Sequence, residues 1–506
     1  SSPFFNRISR IERTRFAHGP VNGVSFNGIL LAIKKTCCWF YEKRKASHEA
    51  IGFQMERRLY SNNSNLNTQH LVNLGYWKKK DTVLCLNRYE CWNQRMYKKM
   101  EGKSRTNRIL FAKDIWATKS GFCKTLKDAV RKEGTSEENV VFWLKKYSFD
   151  CHILPQDYKT LQQTAARQPD SMWIVKPQAS QAGHAIFLRD NEGIQSLSKN
   201  KPYLVQPYLQ NPYLIENRKF DMRIHIIVTS VTPLRAYLHP RGFVRFAALQ
   251  YNKENAMNKS SYLTNVSVNN KLIPTDKLTW QLHEFIKYLG SSGEKVLAEI
   301  VKAIGMMLLT TEKVFAQKYL RKMGAGFKCR NCYQILGVDV ILDANLKPYI
   351  IEVNGNPTMD FTAEKLNKDA IMLHRDVTKL IHNFKDESAS LFRQLETVSE
   401  TDEIENEFSW LSDDMIDYLL MSKKEQQNLE NWYSLYPPTL HTENEEEEWT
   451  ALMRQLDFSS GRERFHDLLI SLQRQRARNC VGGKMECSLD VKYSCRLNPN
   501  SELCSK

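Results

Sequence analysis

The chain has 506 residues, 42% of them hydrophobic and 25% charged, with a formal net charge of +17. This length allows two or three domains, and the apolar content allows a large core, which excludes a chain that is mainly disordered. No apolar run approaches the ~20 residues of a membrane-spanning helix.

Residues 1–105 read as a basic, polar N-terminal extension with isolated aromatics, and Ser61–Asn67 (SNNSNLN) reads as a loop. The start at Ser1 rather than Met is read as processing or truncation. Residues 106–170 alternate a helical stretch (GFCKTLKDAVRKEG) with a short strand (VVFWLKKY), the pattern of a small N-terminal α/β subdomain. From Ser171 to about 385 strands dominate: SMWIVKP, AIFLRD, YLVQPYL, RIHIIVTSV and LRAYLHPRGFVRFA. Two helical segments follow, KLTWQLHEFIKYLG and GEKVLAEIVKAIGMMLLTTEKVFAQKYLRK, and then a hairpin and a closing helix, TAEKLNKDAIMLHRDVTKLIHNF. Residues 386–479 read as an acidic helical extension, and IENEFSWLSDDMIDYLLMSKKEQQNLENWYSLY has apolar residues at helical spacing. Residues 480–506 form a Cys-rich tail.

Charge and cysteine divide unevenly along the chain. Residues 386–448 carry 18 acidic and 3 basic side chains, and the rest carries 70 basic against 38 acidic. So positive a body attracts polyanions, either nucleic acid or an acidic peptide. No RRM, KH or zinc-finger pattern is present, so no nucleic-acid partner is expected. Four of the twelve cysteines (Cys480, Cys487, Cys495 and Cys504) lie in the tail, as a disulfide knot, a zinc site or free thiols. Cys329-x-x-Cys332 is a weak zinc signal because no second pair has the usual spacing. Sequons at Asn62, Asn258 and Asn265 keep a secretory chain open as an alternative.

The hairpin carries the sharpest chemical signal. VDVILD and YIIEVN have strand composition, and DANLKP between them is turn chemistry with a loop of about four residues. If Asp343 faces Pro348, then Ile341 faces Ile350 and Asp339 faces Glu352, while Asn354 points to the same side as Glu352. Like charges directly opposite in a sheet are unfavourable. A divalent cation relieves them, and this oxygen set suits Mg²⁺. Lys176 ends the apolar strand WIVKP, and Gln178–Ile186 after it is built of small residues able to lie over phosphates. In RKFDMRIHI, Lys219, Asp221 and Arg223 alternate with Phe220, Met222 and Ile224, which makes the first set a cleft lining or a solvated face. Arg235 and Arg245 add two guanidiniums suited to carboxylates.

The order and spacing of NRILFAKD, CHILPQDY, WIVKP, VQPYLQNPYLI, RKFDMRIHIIVTSVTPLRAYL, GFVRFAALQY, YLTNVSVNN and LGVDVILDANLKPYIIEVNGNP resemble the tubulin tyrosine ligase-like family over roughly residues 106–383. The resemblance implies an ATP-grasp fold, of α/β (α+β) class, with ATP and Mg²⁺ as cofactors. Lys176 and Lys219 would contact ATP phosphates, with Gly183 in the phosphate loop. Gln206, Tyr208 and Leu209 would form the adenine hinge, and Asp221, Thr264 and Asn265 would line the nucleotide cleft. Asp339, Glu352 and Asn354 would hold the metal. Arg223 would stabilise the transferring phosphoryl group, and Arg245 with Ser267 would grip a free amino acid. The implied reaction adds glutamate or glycine to a glutamate side chain of an acidic tail, tubulin's above all, through an acyl phosphate, which implies cytoplasm, cytoskeleton or cilium. The chain departs from the family at Ala182 and Ala185, where arginine and glycine are usual. Those positions leave open a nucleotide-binding or microtubule-associated pseudoenzyme. Thr279, where glutamylases tend to have lysine, leaves glycine open as the donor.

Overall fold

The computed structural model describes residues 82–83, 93–100, 105–130, 146–178, 185–252, 258–357, 363–382, 410–426, 428–429, 431–439, 443–456 and 460–481. Most of the N-terminal extension, Gly183 and the Cys-rich tail beyond Val481 lie outside the described residues. The elements that position the site are α1 (Lys119–Val130), β1 (His152–Ile153), α2 (Tyr158–Arg167), β2 (Trp173–Pro177), β3 (Phe187–Arg189) and β4 (Tyr203–Pro207). They continue with β5 (Arg218–Val231), β6 (Leu234–Phe246), β7 (Thr279–Gln281), α3 (Leu282–Tyr288), α4 (Gly293–Met323), β8 (Gln334–Leu342), β9 (Pro348–Asn354) and α5 (Glu364–His382). The acidic extension supplies α6 (Asp413–Gln426), β10 (Tyr433–Tyr436), α7 (Glu443–Gln455) and α8 (Ser460–Val481).

These elements form two antiparallel sheets, beside a short parallel pair of Thr82–Val83 with Arg105–Thr106, in keeping with the mixed helix-and-sheet class. The small one has the order β1-β4-β2-β3. The large one runs β7-β6-β5-β8-β9, with β10 added to the β6 edge and Leu214–Ile215 pairing with β5. Strand alternation gives each face of the large sheet its own task. Phe220, Met222, Ile224, Ile226 and Val228 enter the main core with Ile300, Ile304 and Leu308 of α4. Burying each such side chain contributes about 1.5–3 kcal/mol. On the opposite face Ile227 and Tyr237 pack under Leu373, Val377 and Leu380 of α5. Nearer the start of β5 that same face carries Lys219, Asp221 and Arg223 and looks into a cleft. All three are buried, so this is not a solvated face.

Several local expectations are corrected. The helical segment that begins KLTWQL starts as strand β7, with Thr279 opposite Arg245, and α3 begins only at Leu282 behind a capping box of Gln281 and Glu284. The last residues of the WYSLY stretch also form a strand, because β6 offers them a free edge and Tyr433–Tyr436 are all buried there. Of VVFWLKKY only Lys146 and Tyr147 are described, and they are helical. Cys329 and Cys332 are joined in a disulfide, so they present no thiolate to zinc, and Cys123 and Cys151 form a second disulfide between α1 and the approach to β1. Among the described residues no helix is long and apolar enough to cross a membrane.

Candidate functional site

The hairpin β8–β9 reaches its expected pairing by an unexpected route. At the loop end Leu342 faces Pro348, Ile341 faces Tyr349 and Val340 faces Ile350, one residue out of step with simple counting. The loop is the five residues 343–347, closed by the Asp343 carboxylate, which accepts from the backbone N–H of Asn345 (2.9 Å) and Lys347 (3.0 Å). A bulge between Asp339 and Val340 leaves Ile351 unpaired and restores the register, so Asp339 faces Glu352 after all. The bulged Ile351 points into the cleft that both carboxylates border, a common use of bulges beside functional sites.

The cleft between the two sheets has two chambers that share Lys176, Ile186, Gln206, Asn265 and Glu352. The inner one, about 90 Å³, has walls of Ile174, Ile186, Leu263, Ile341 and Ile351, a rim of Gln206, Pro207, Tyr208 and Leu209, and the polar groups of Lys219, Asp221 and Thr264. The outer one, about 690 Å³, lies against α1 and the turn after β9. Lys176 donates to Gln206 Oε1 at 2.8 Å. Lys219 donates to Tyr208 Oη at 3.1 Å and to the Tyr262 carbonyl at 3.0 Å. Burial lowers the Lys176 ammonium, against the pull of Glu352. Burial also brings Lys219 down to about 7, opposed by Asp221 and reinforced by Lys176.

Asp339 is the electrostatic centre. Arg223 grips it with Nε on Oδ1 and with Nη2 on Oδ2 at 3.0 Å, and Arg245 Nη2 lies 2.9 Å from Oδ2. Burial alone would raise its carboxyl, but the two guanidiniums override that and hold it well below the usual carboxylate range. Arg245 also clasps Asp221 through two 2.7 Å bonds, and Thr264 Oγ1 donates to the same carboxylate at 2.7 Å. Arg223 can lie flat across β8 because residue 337 is glycine. A Cβ there would stand 2.8 Å from Arg223 Cδ and 2.9 Å from Pro357 Cβ.

The donor set fits a hard cation. Asn354 Nδ2 lies 3.4 Å from both Asp339 Oδ2 and Glu352 Oε1, so three side chains converge on one point, and a half-turn of the amide presents its oxygen instead. Among the described residues no group of three or more His, Cys, Asp or Glu side chains is arranged for a metal. Two carboxylates and an amide match the way Mg²⁺ leaves its other positions to water and phosphate oxygens.

The cleft therefore brings together Lys176, Gln206, Tyr208, Leu209, Lys219, Asp221, Arg223, Arg245, Thr264, Asn265, Asp339, Glu352 and Asn354. Ser267 sits on the short helical turn Val266–Asn269 and lines neither chamber. Arg235 lies elsewhere altogether, closed against Glu425. Sequence reading missed Lys119 and Arg108 on the outer wall, because each is a single cation with no spacing signal. It also missed Gln334, which accepts from the Ile109 backbone at 3.0 Å and donates to the Gly355 carbonyl at 2.6 Å, joining the N-terminal segment to the turn after β9.

The model of the tubulin-tyrosine ligase family matches residues 99–387. The chain is similar to a probable tubulin polyglutamylase, ttll-9, of Caenorhabditis elegans, 27% identical over 293 residues, which cover 54% of this chain and 67% of that protein. It is also similar to the tubulin monoglutamylase TTLL4 of Homo sapiens, 36% identical over 240 residues, which cover 43% of this chain and only 19% of that protein. Among solved structures, the C-terminal domain of K. lactis Pby1, an ATP-grasp enzyme interacting with the mRNA decapping enzyme Dcp2, aligns with a TM-score of 0.40 at 16% identity, covering 62% of this chain and 83% of that one.

Proposed function

The chain belongs to the tubulin-tyrosine ligase family, and we propose that its cleft is the active site of an ATP- and Mg²⁺-dependent ligase of ATP-grasp type. It would add an amino acid, glutamate or glycine, to a glutamate side chain of an acidic protein tail. The relatives' names point to tubulin as the protein modified, and hence to the cytoplasm and cytoskeleton. One observation carries the reading. Asp339, Glu352 and Asn354 converge on a point that faces Lys176 at the end of β2, on the opposite sheet.

The aliphatic wall of the inner chamber, Ile174, Ile186, Leu263 and Ile341, takes the adenine, with the 206–209 rim as its hinge. Lys176 and Lys219 meet the phosphates. Mg²⁺ held by the hairpin would neutralise phosphate charge and orient the γ-phosphoryl group. In the first step a carboxylate oxygen of the tail bonds to the γ-phosphorus as the bond to the β–γ bridging oxygen breaks, and ADP leaves with the electron pair. Arg223, fixed by Asp339, stabilises the charge on the transferring group. In the second step the amine of the free amino acid attacks the acyl carbon. The carbon–oxygen bond to phosphate breaks, and the nitrogen loses a proton, giving the amide.

The test is incorporation of radiolabelled glutamate and, separately, glycine into microtubules with Mg·ATP, beside Glu352→Gln. That variant is expected to lose at least about a thousandfold in rate, with an unchanged circular dichroism spectrum. Equal labelling by the variant would overturn the assignment of this hairpin.

A further inference from the structure

We infer that Lys119 is the acceptor-binding residue, the cation that holds the glutamate carboxylate of the protein tail beside the phosphates. This rests on the ligase reading above and deepens it. The inner chamber, about 90 Å³, is filled by the nucleotide, so both remaining reactants enter through the outer one, about 690 Å³. The ionisable lining of the outer chamber is strongly one-sided, with Arg108, Lys113, Lys119, Lys176 and Arg223 facing the single carboxylate of Glu352. Such a lining selects an anion.

The five cations are not equivalent. Arg223 is committed to Asp339, and Arg108 donates to Asn356 Oδ1 at 3.2 Å on the turn after β9. Lys113 is exposed at the rim. Lys176 borders both chambers and faces the nucleotide side. Lys119 stands between rim and phosphates, with Nζ 3.3 Å from the Pro177 carbonyl, one residue past Lys176. Its position is fixed to the metal ligands by packing. The π-helical turn Lys113–Ala117 presses on the turn that follows Asn354, where a Cβ on Gly355 would lie 2.7 Å from the Cβ of Ala117.

Lysine also suits the chemistry. A guanidinium would engage both oxygens of the acceptor carboxylate and draw electron density from each, which makes either a poorer nucleophile. An ammonium is a point charge. It holds one oxygen while the other forms the bond to the γ-phosphorus and ADP departs with the electrons of the broken phosphorus–oxygen bond.

The experiment uses the full chain and the variants K119M and K119R, because methionine keeps the aliphatic stem and its packing. Binding of a fluorescently labelled Glu-rich peptide, in the presence of a non-hydrolysable ATP analogue, should weaken at least about tenfold in K119M. K119R should recover binding but not turnover. In ligation assays the KM for peptide should rise at least about tenfold in K119M, while the KM values for ATP and for the amino acid stay within about twofold. Unchanged peptide binding in K119M, or a shift confined to ATP or to the amino acid, would overturn the inference. Failure of the wild-type chain to ligate would count against the ligase reading alone, since the peptide-binding arm needs no turnover.

Discussion

The two ends of the β5–β6 hairpin present the same chemistry to opposite effect. At the far end Arg235 is wrapped by Glu425 from α6, with contacts of 2.6 and 3.1 Å, and the same carboxylate accepts from Tyr237 (3.0 Å) and Thr229 (2.9 Å). Glu425 is 0% exposed, so this circuit is closed. At the near end Arg223 and Arg245 share Asp339 and Asp221 in the same bidentate style, yet the group opens onto a cleft, and Glu352, opposite Asp339, is only partly buried. Ion pairing by itself therefore does not distinguish scaffold from site. What distinguishes them is whether the network ends on protein or leaves a face for a ligand.

Removing one partner from the closed circuit should produce the largest effect on stability. Glu425→Ala strands a fully buried guanidinium and should cost about 3–5 kcal/mol by chemical denaturation, with the activity of each folded molecule unchanged. Loss of activity without loss of stability would erase the contrast. Gly337→Ala sharpens the near end. The added methyl meets Arg223 and Pro357, so it should cost about 1–3 kcal/mol and lower turnover by displacing Arg223 from Asp339. Unchanged turnover would separate Arg223 from the chemistry.

The smallest effect is a pH dependence. In the free protein Lys219 titrates at about 7, because burial among Tyr208, the Tyr262 carbonyl and Lys176 outweighs the attraction of Asp221. Triphosphate binds the protonated form and raises that value. Nucleotide affinity should then be level below about pH 7 and fall above it by up to about tenfold per pH unit, until the pKa of the complex is reached. Isothermal titration of the wild type and of Lys219→Met checks this, and the variant should lose the slope. The same slope in both would assign it to another group.

Much of the site was legible because its chemistry violates strand composition. Asp339 and Glu352 interrupt Val/Ile runs, and Lys219, Asp221 and Arg223 recur with period two, so each stands out locally. The facing of Asp339 and Glu352 followed from counting residues. The counting held only because a bulge at Ile351 cancels a one-residue error in the loop. The end of the acidic stretch misled for a related reason. WYSLY carries strand-type aromatics, but they follow directly on a helical spacing pattern, and the stretch becomes β10 because the β6 edge was there to receive it.

The sequence by itself determined the strand faces and the hairpin that sets Asp339 opposite Glu352, because alternation and the identity of polar residues within apolar runs are local properties. Only the tertiary structure decided that Arg235 belongs to the scaffold, and that Ser267 lines neither chamber. It also brought Lys119, more than 200 residues from Glu352, to the same chamber. A lone cation has a role only through what it faces, and that is set by packing between elements distant in the chain.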